Sequence, residues 1–399
     1  MPAEDAAPSF PFAVEDPVEP PPEYAGLLAR RPVSRVTIPT GDRVWLVTRH
    51  KDVRRLLADQ RFSREAITGP GAPRLLPIAR DSKSIFVMDP PEHSRLRRLV
   101  SRAFAPRRIE QLRPGIERLA AELVDGMVAA GPPADLVAGL AQPLPITVIC
   151  HMLGVPYEDV GRFREWTDIM LSYDRDRHQE VLAARDSIND YLTRLIAEKR
   201  ARPTDDLLMV LIDATEDGDR LSDEELLAFG YTLLGAGYHA TTAGLVHAVL
   251  TLLRRPDRLA RLRAEPALLP AAVEELLRRS QAGGGLGALR IATEDVEIAG
   301  VRIAAGEAVL PLITAANRDG TVFEDPDGLL LDRASNPHLA FGHGIHHCLG
   351  AQLGRVELTA ALGALLARMP GLRPAVEETE LVWSSGLAFS RPRELPVAW

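Results

Sequence analysis

Cysteine is scarce here: the 399-residue chain has two, Cys150 and Cys348. Two cysteines so far apart exclude a disulfide-built scaffold. Long apolar runs are missing too, since none approaches the ~20 residues a membrane-spanning helix needs. The start, Met-Pro-Ala-Glu-Asp-Ala-Ala-Pro, lacks the basic residues and apolar stretch of a signal peptide. These absences predict a soluble, cytoplasmic chain that does not enter a membrane. Positive charge is not in excess: 47 basic against 55 acidic residues give a net charge of −8, and nothing draws the chain as a whole to nucleic acid. No Gly-x-Gly-x-x-Gly follows a strand, so no flavin or nicotinamide fingerprint and no fused reductase is present. Repeats of 20–50 residues and low-complexity tracts are absent as well. What remains is the composition of an ordinary globular protein, 46% hydrophobic and 26% charged.

Helical spacing dominates what is present. Residues 50–57, 107–214, 270–279 and 349–369 carry it, with prolines at 132, 133, 156 and 203 as breaks. The longest helix opens at Ser222-Asp223-Glu224-Glu225. Ser222 and Glu225 have capping-box spacing, and the acids suit the positive end of a helix dipole. Its apolar run continues to Leu253, ahead of Pro256, and is apolar on most faces, which predicts a path through the interior. Strand signals are few. Val33 to Val47 is interrupted by Thr40-Gly41-Asp42 and reads as a hairpin. Residues 289–315 alternate and turn at Ala299-Gly300 and Ala305-Gly306, and residues 381–399 read as short strands. Residues 62–86 have no clean period and contain Gly69-Pro70-Gly71-Ala72-Pro73. The expected fold class is mainly α with a small β subdomain. No linker separates two self-contained halves, which predicts a single domain over 1–399 with a flexible N-terminal segment at 1–20.

The chemistry gathers at Phe341-Gly342-His343-Gly344-Ile345-His346-His347-Cys348-Leu349-Gly350. The glycines let the backbone turn sharply and lie close to a flat partner. A cysteine just ahead of a helix sits in a field that favours its thiolate. Two metals suit this stretch. Zinc could take His343, His346, His347 and Cys348, but structural zinc sites draw ligand pairs from separated segments and no second such pair occurs. A haem iron would take Cys348 alone as an axial thiolate. Cys150, in an apolar helix, reads as a core residue.

The pattern Phe-x-x-Gly-x-x-x-Cys-x-Gly, met at Phe341, Gly344, Cys348 and Gly350, resembles the haem-binding loop of cytochromes P450. The resemblance extends from about residue 20 to the end of the chain, and it implies the cytochrome P450 fold. It also implies haem b (iron protoporphyrin IX) as cofactor, with Cys348 as iron ligand and His346 at a propionate. Spacing alone makes His93 and Arg97 two residues of one helix face; the resemblance makes them propionate contacts, and Arg290 a further one. Glu275 and Arg278 match the family's structural Glu-x-x-Arg pair, with Arg333 as a third member. The irregular 62–86 stretch corresponds to a cover over the substrate pocket. The family's partners are dioxygen, a small-molecule substrate, and a ferredoxin with its ferredoxin reductase on separate chains. Arg95, Arg97, Arg98, Arg102, Arg107 and Arg108, with the neighbourhood of Arg355, would steer the acidic ferredoxin.

One stretch departs from the family. Gly235-Ala236-Gly237-Tyr238-His239-Ala240-Thr241-Thr242 has Ala240 where the family has an acid, and Tyr238 where it often has glycine. Activation of dioxygen needs delivered protons. Thr241, His239 and Ala240 are therefore the catalytic candidates, and the relay must lean on Thr241, His239, water or the substrate. This departure, residues 61–75 and the tail at 393–399 resemble P450s of specialised metabolism acting on aromatic cyclic dipeptides. The expected function is oxidation of a small hydrophobic natural product, with oxidative coupling of such a dipeptide as the specific form. The alternatives are hydroxylation of a polyketide or macrolide, and a non-catalytic haem sensor or carrier.

Overall fold

A computed structural model describes residues 7–73, 83–170, 177–216, 218–283, 289–384 and 389–399. The helices are α1 (Glu23–Arg30), α2 (His50–Ala58), α3 (Glu92–Ser101), α4 (Pro106–Ala130), α5 (Pro143–Leu153), α6 (Val160–Met170) and α7 (His178–Ala201). After these come α8 (Leu207–Ile212), α9 (Asp223–Leu253), α10 (Pro256–Ala264), α11 (Leu269–Arg279), α12 (Ile313–Ala316) and α13 (Ala351–Arg368). The early strands are β1 (Val33–Thr37), β2 (Arg43–Val47), β3 (Phe62–Ser63), β4 (Ala134–Asp135), β5 (Thr215–Glu216) and β6 (Asp219–Arg220). The late ones are β7 (Arg290–Ala292), β8 (Val296–Ile298), β9 (Val301–Ile303), β10 (Ala308–Pro311), β11 (Arg373–Pro374) and β12 (Pro396–Ala398). The expected class, mainly α with small sheets, is what the structure shows. Among the described residues no helix is long and apolar enough to cross a membrane.

The chain packs into two compact units. The first comprises Met1–His93, Arg278–Gly328 and Ser335–Cys348. Its sheet has the order β1-β2-β10-β7-β3. The predicted hairpin pairs Val33 with Val47 and Thr37 with Arg43, and β10 joins β2 in parallel. Alternation along these strands splits their apolar residues between two faces. Val36, Val44, Leu46 and Leu310 pack on one side with Phe10, Phe12 and Tyr24. Val33, Val47 and Val309 pack on the other with Val53, Leu56 and Phe62. Part of the segment expected to be flexible is therefore held in place. Phe10 is buried, its N–H donates to the Thr37 carbonyl at 2.8 Å, and Glu19 pairs with the buried Arg279 at 2.9 Å. Residues 74–82, in the stretch expected to cover a pocket, lie outside the described residues, as do Gly284, Gly285 and Gly287.

The second unit comprises Ser94–Leu277, Leu329–Ala334 and Leu349–Trp399. Its axis is α9, 31 residues long. The Ser222 hydroxyl accepts from the Glu225 N–H, and the Glu225 carboxylate accepts from the Ser222 N–H, so the expected capping box forms. Pro256 opens α10 directly after it. Within this unit α9 packs against α5, α7 and α13, and α13 lies along α4. The predicted strands at the end of the chain shrink to β12 and a single bridge between Trp383 and Pro392. Pro392 and Pro396 have no N–H to give a ladder.

Candidate active site

The loop that ends at Cys348 is fixed by its own backbone. Gly342 and Gly344 both have φ of +74°, a conformation that L side chains avoid. At Gly344 the approach is also tight: a Cβ would stand 2.5 Å from the Leu57 carbonyl oxygen at the end of α2. Glycine is required there on two counts. The Cys348 N–H donates to the Phe341 carbonyl at 2.8 Å, and the His347 N–H to that of Gly344 at 3.0 Å. The loop is tied in turn to the sheet unit, where Asn317 Oδ1 accepts the Leu339 N–H at 2.7 Å. The result is an exposed thiol on a braced turn, three residues ahead of α13. Gly350 is the N-cap of that helix. The other cysteine differs in kind: Cys150 is fully buried and burial pushes its thiol up to about 12.

The expected cations fall into place unevenly. His93, buried at the start of α3, meets the His346 ring with centroids 4.3 Å apart. Arg97 follows four residues later on α3. Arg290, on β7, is 3% exposed. Its Nη1 donates to the Phe62 carbonyl at 3.3 Å, while Nε finds no acceptor. Burial pushes this guanidinium down to about 10, with Asp89 as the charge that opposes the shift. A buried arginine in this state is short of acceptors. Among the described residues no group of three or more His, Cys, Asp and Glu side chains converges as a metal site.

Glu275 accepts from Arg333 Nε and Nη2 at 2.9 and 3.0 Å and from the Leu330 N–H at 3.1 Å. Arg278 donates to the carbonyls of Asn317, Pro326 and Gly328. Both residues are fully buried, and Arg333, the expected third member, is the carboxylate's bidentate partner.

On α9 the catalytic candidates separate. Gly237, Ala240, Thr241 and Gly244 form a partly exposed strip of small residues, as their 3.6-residue spacing dictates. His239 lies elsewhere on the helix, two residues and ~200° of rotation from Thr241. It is buried, its Nε2–H donates to the Thr167 carbonyl of α6 at 3.2 Å, and burial pushes it down to about 4. Thr242 gives its hydroxyl to the Tyr238 carbonyl at 2.9 Å. Thr241 makes no side-chain hydrogen bond among the described residues. Of the expected basic cluster, Arg95 is committed to Asp219 and Glu225, and Arg355 to Glu274 at 2.7 Å. Arg98, Arg102, Arg107 and Arg108 stay exposed, with Arg102 Nη1 donating to the Thr215 carbonyl at 3.2 Å. Sequence reasoning did not find Asp168 of α6 or Arg391 near the end of the chain. Asp168 Oδ1 stands 3.7 Å from His239 Nε2, the Arg391 charge is felt at both Tyr238 and His239, and neither residue sits in a motif that could have announced it.

The cytochrome P450 family model matches residues 147–370. Nocardicin C N-oxygenase of Nocardia uniformis subsp. tsuyamanensis is 49% identical over 392 residues, covering 98% of each chain. Mycinamicin IV hydroxylase/epoxidase of Micromonospora griseorubida is 48% identical over 379 residues, covering 94% of each. The LnmA cytochrome P450 hydroxylase of the leinamycin biosynthetic pathway of Streptomyces atroolivaceus S-140 matches with a TM-score of 0.91 and 47% identity. It covers 98% of this chain and 100% of that one. Matched in sequence and in fold over nearly its whole length, the chain belongs to the cytochrome P450 family.

Proposed function

We propose that this chain is a haem-thiolate monooxygenase that inserts oxygen into a small, largely apolar natural product, drawing electrons from a separate ferredoxin and ferredoxin reductase. The observation that carries the proposal is the exposed Cys348 on its braced loop, in the same unit as a buried arginine short of acceptors. These residues suit iron protoporphyrin IX, which needs a soft ligand for iron and cations for its two carboxylates. Cys348 would hold the iron. His93, Arg97, His346 and Arg290 would hold the propionates, and Arg290 would gain the acceptor that its Nε lacks. When bound, the haem supplies activation of dioxygen, and a thiolate ligand favours cleavage of the O–O bond.

The chain's own part is to admit substrate and supply protons. The strip at Gly237, Ala240, Thr241 and Gly244 presents little bulk, and a Cβ at Gly244 would meet nothing within 4 Å. This leaves room for an apolar molecule alongside α9. Thr241 is the strip's hydroxyl, free to hold a proton at Oγ1. His239 stays neutral and engaged with Thr167, so it orients α6 against α9 rather than passing protons to Thr241. Arg98, Arg102, Arg107 and Arg108 are the exposed charges of the cluster that would steer an acidic ferredoxin. The names of the N-oxygenase and of the hydroxylase/epoxidase support insertion. The methyl group at Ala240, where an acid would assist proton delivery, supports a second reading, oxidative coupling of an aromatic cyclic dipeptide.

Two measurements test this. Cys348→Ser abolishes the thiolate-type carbon monoxide spectrum of the ferrous protein; its survival removes Cys348 as the ligand. Turnover under isotope-labelled O₂ gives a product that carries one labelled oxygen atom; an unlabelled product with a new ring–ring bond overturns insertion in favour of coupling.

A further inference from the structure

The second unit holds a polar cluster that neither thiolate nor proton relay uses. It joins three segments distant in sequence: Asp168 on α6, Tyr238 and His239 on α9, and Arg391 beside the bridge between Trp383 and Pro392. Arg391 is 7% exposed. Its Nη1 donates to the Pro392 carbonyl at 3.2 Å, and among the described residues it has no carboxylate within ion-pair distance. Asp168 and Arg164 are close enough to be felt as charges at the same site. Two cations thus face one carboxylate, and burial holds that carboxyl above its ordinary value. Tyr238 is 0% exposed. Its hydroxyl lies beside Asp168 but makes no well-directed hydrogen bond. Asp168 Oδ1 is 3.7 Å from His239 Nε2, which already serves Thr167. The cluster is therefore rich in donors and poor in acceptors.

The donors are also held in place. The Ser384 hydroxyl accepts the Arg391 N–H at 3.3 Å and donates to the Arg391 carbonyl at 2.8 Å. The preceding carbonyl, Ser390, accepts from His247 of α9 at 2.8 Å, and Trp383 packs edge-on against the same imidazole. A buried guanidinium on a fixed backbone, with one acceptor among the described residues and its charge felt at the buried Tyr238 hydroxyl, is preorganised for an anion with two oxygens. Tyr238 is the i,i+3 neighbour of Thr241 on α9 and so borders the small-residue strip, and an anion held here would be part of a molecule lying along it.

We propose that Arg391, assisted by the Tyr238 hydroxyl, binds a carboxylate carried by the substrate, so that the chain takes an aromatic or aliphatic acid rather than a neutral molecule. The N–H groups of Arg391 that have no acceptor among the described residues pair with the two carboxylate oxygens. Tyr238 O–H donates to one of them, and the Asp168 carboxylate attracts the arginine's charge from the α6 side. This names the substrate class for the monooxygenase reading and rests on it.

The test compares acids with their amides on the ferric holoprotein: indole-3-propionate against indole-3-propionamide, 3-phenylpropionate against its amide, and decanoate against decanamide. Binding is read by calorimetry and by the spin-state shift of the haem. At least one acid is expected to bind about tenfold or more tighter than its amide, the range of a charge-assisted hydrogen-bonded pair. Arg391→Gln removes that preference, Arg391→Lys restores part of it, and Tyr238→Phe weakens it severalfold. No acid exceeding its amide overturns the proposal, and so does an acid preference that Arg391→Gln leaves intact. The carbon monoxide spectrum of the same samples keeps the two readings apart. Its failure would remove the thiolate assignment, while the acid preference is measured by calorimetry independently of it.

Discussion

Two buried arginines in the second unit are treated in opposite ways. Arg333 has a 5% exposed side chain and donates twice to the fully buried Glu275, which also takes the Leu330 N–H. Arg391 is about as buried and, among the described residues, has one backbone carbonyl as acceptor. Removing an ion from water costs several kcal/mol even after relaxation, so each site needs a reason to exist. At Arg333 the reason is internal: the charges satisfy each other and tie α11 to residues 330–333. At Arg391 the chain leaves donors open. Arg290 in the first unit is of the same open kind. A satisfied buried charge is architecture, and an open one is set up for a ligand.

The sharpest way to break that comparison is to remove the carboxylate from the closed site. Glu275→Ala leaves Arg333 buried without its partner and is expected to cost about 3–5 kcal/mol, read from the denaturant midpoint of the holoprotein. Arg391→Gln removes one backbone hydrogen bond and relieves an unpaired charge. It is expected to change stability by less than about 1 kcal/mol. Equal costs at the two sites would mean that Arg391 is architectural too.

The next effect in size is the acid response of His239, the neighbour that closes the open cluster on the α6 side. Its imidazole is pushed down to about 4 by burial, against 6.5 in the unfolded chain. Between these values the unfolded chain binds a proton that the folded chain refuses, so stability rises with pH across the window. The contribution is fully present above 6.5 and is lost as pH falls through 4. Its ceiling is roughly 3 kcal/mol. His239→Gln keeps a donor for the Thr167 carbonyl and removes the titration. The stability difference between the two proteins should therefore move in favour of the variant between pH 7 and 4.5. Asp168, Tyr238 and Arg391, which face the same imidazole, are present in both and cancel. A pH-independent difference would show that His239 is not held neutral.

Legibility in the sequence follows the same divide. The loop that ends at Cys348 is local: a cysteine and the glycines that permit its turn lie within ten residues, and Gly344 is needed for both its φ and its contact with Leu57. The capping box of α9 is local as well, and the Glu275 pair came with Arg333 as its expected partner. The relay trio was legible as residues but not as geometry. His239 and Thr241 are two apart in sequence, which on a helix sends them to different sides. The polar cluster was invisible because it is assembled from residues 168, 238 and 391. Asp168 reads as a solvated acid of an amphipathic helix, and Arg391 as one charge in a stretch of short strands. Only the packing of α6, α9 and residues 383–392 gives them a common address.

Tyr238→Phe is the finest test, because its two expected effects are small and point in different directions. The hydroxyl is buried with no well-directed partner, so losing it removes a desolvated polar group at little structural cost. The ring, tilted against that of His239 with centroids 4.3 Å apart, stays where it is. Stability should be unchanged or higher by up to ~1 kcal/mol. The preference for an acid over its amide should fall severalfold, since the anion loses one of its donors. A variant destabilised by about 2 kcal/mol, the cost of breaking a buried hydrogen bond, would show that the hydroxyl is already satisfied within the fold. In that case the cluster would belong with Arg333 rather than apart from it. A more stable protein that discriminates less would show a hydroxyl kept for the ligand, at a position where the fold itself has no use for it.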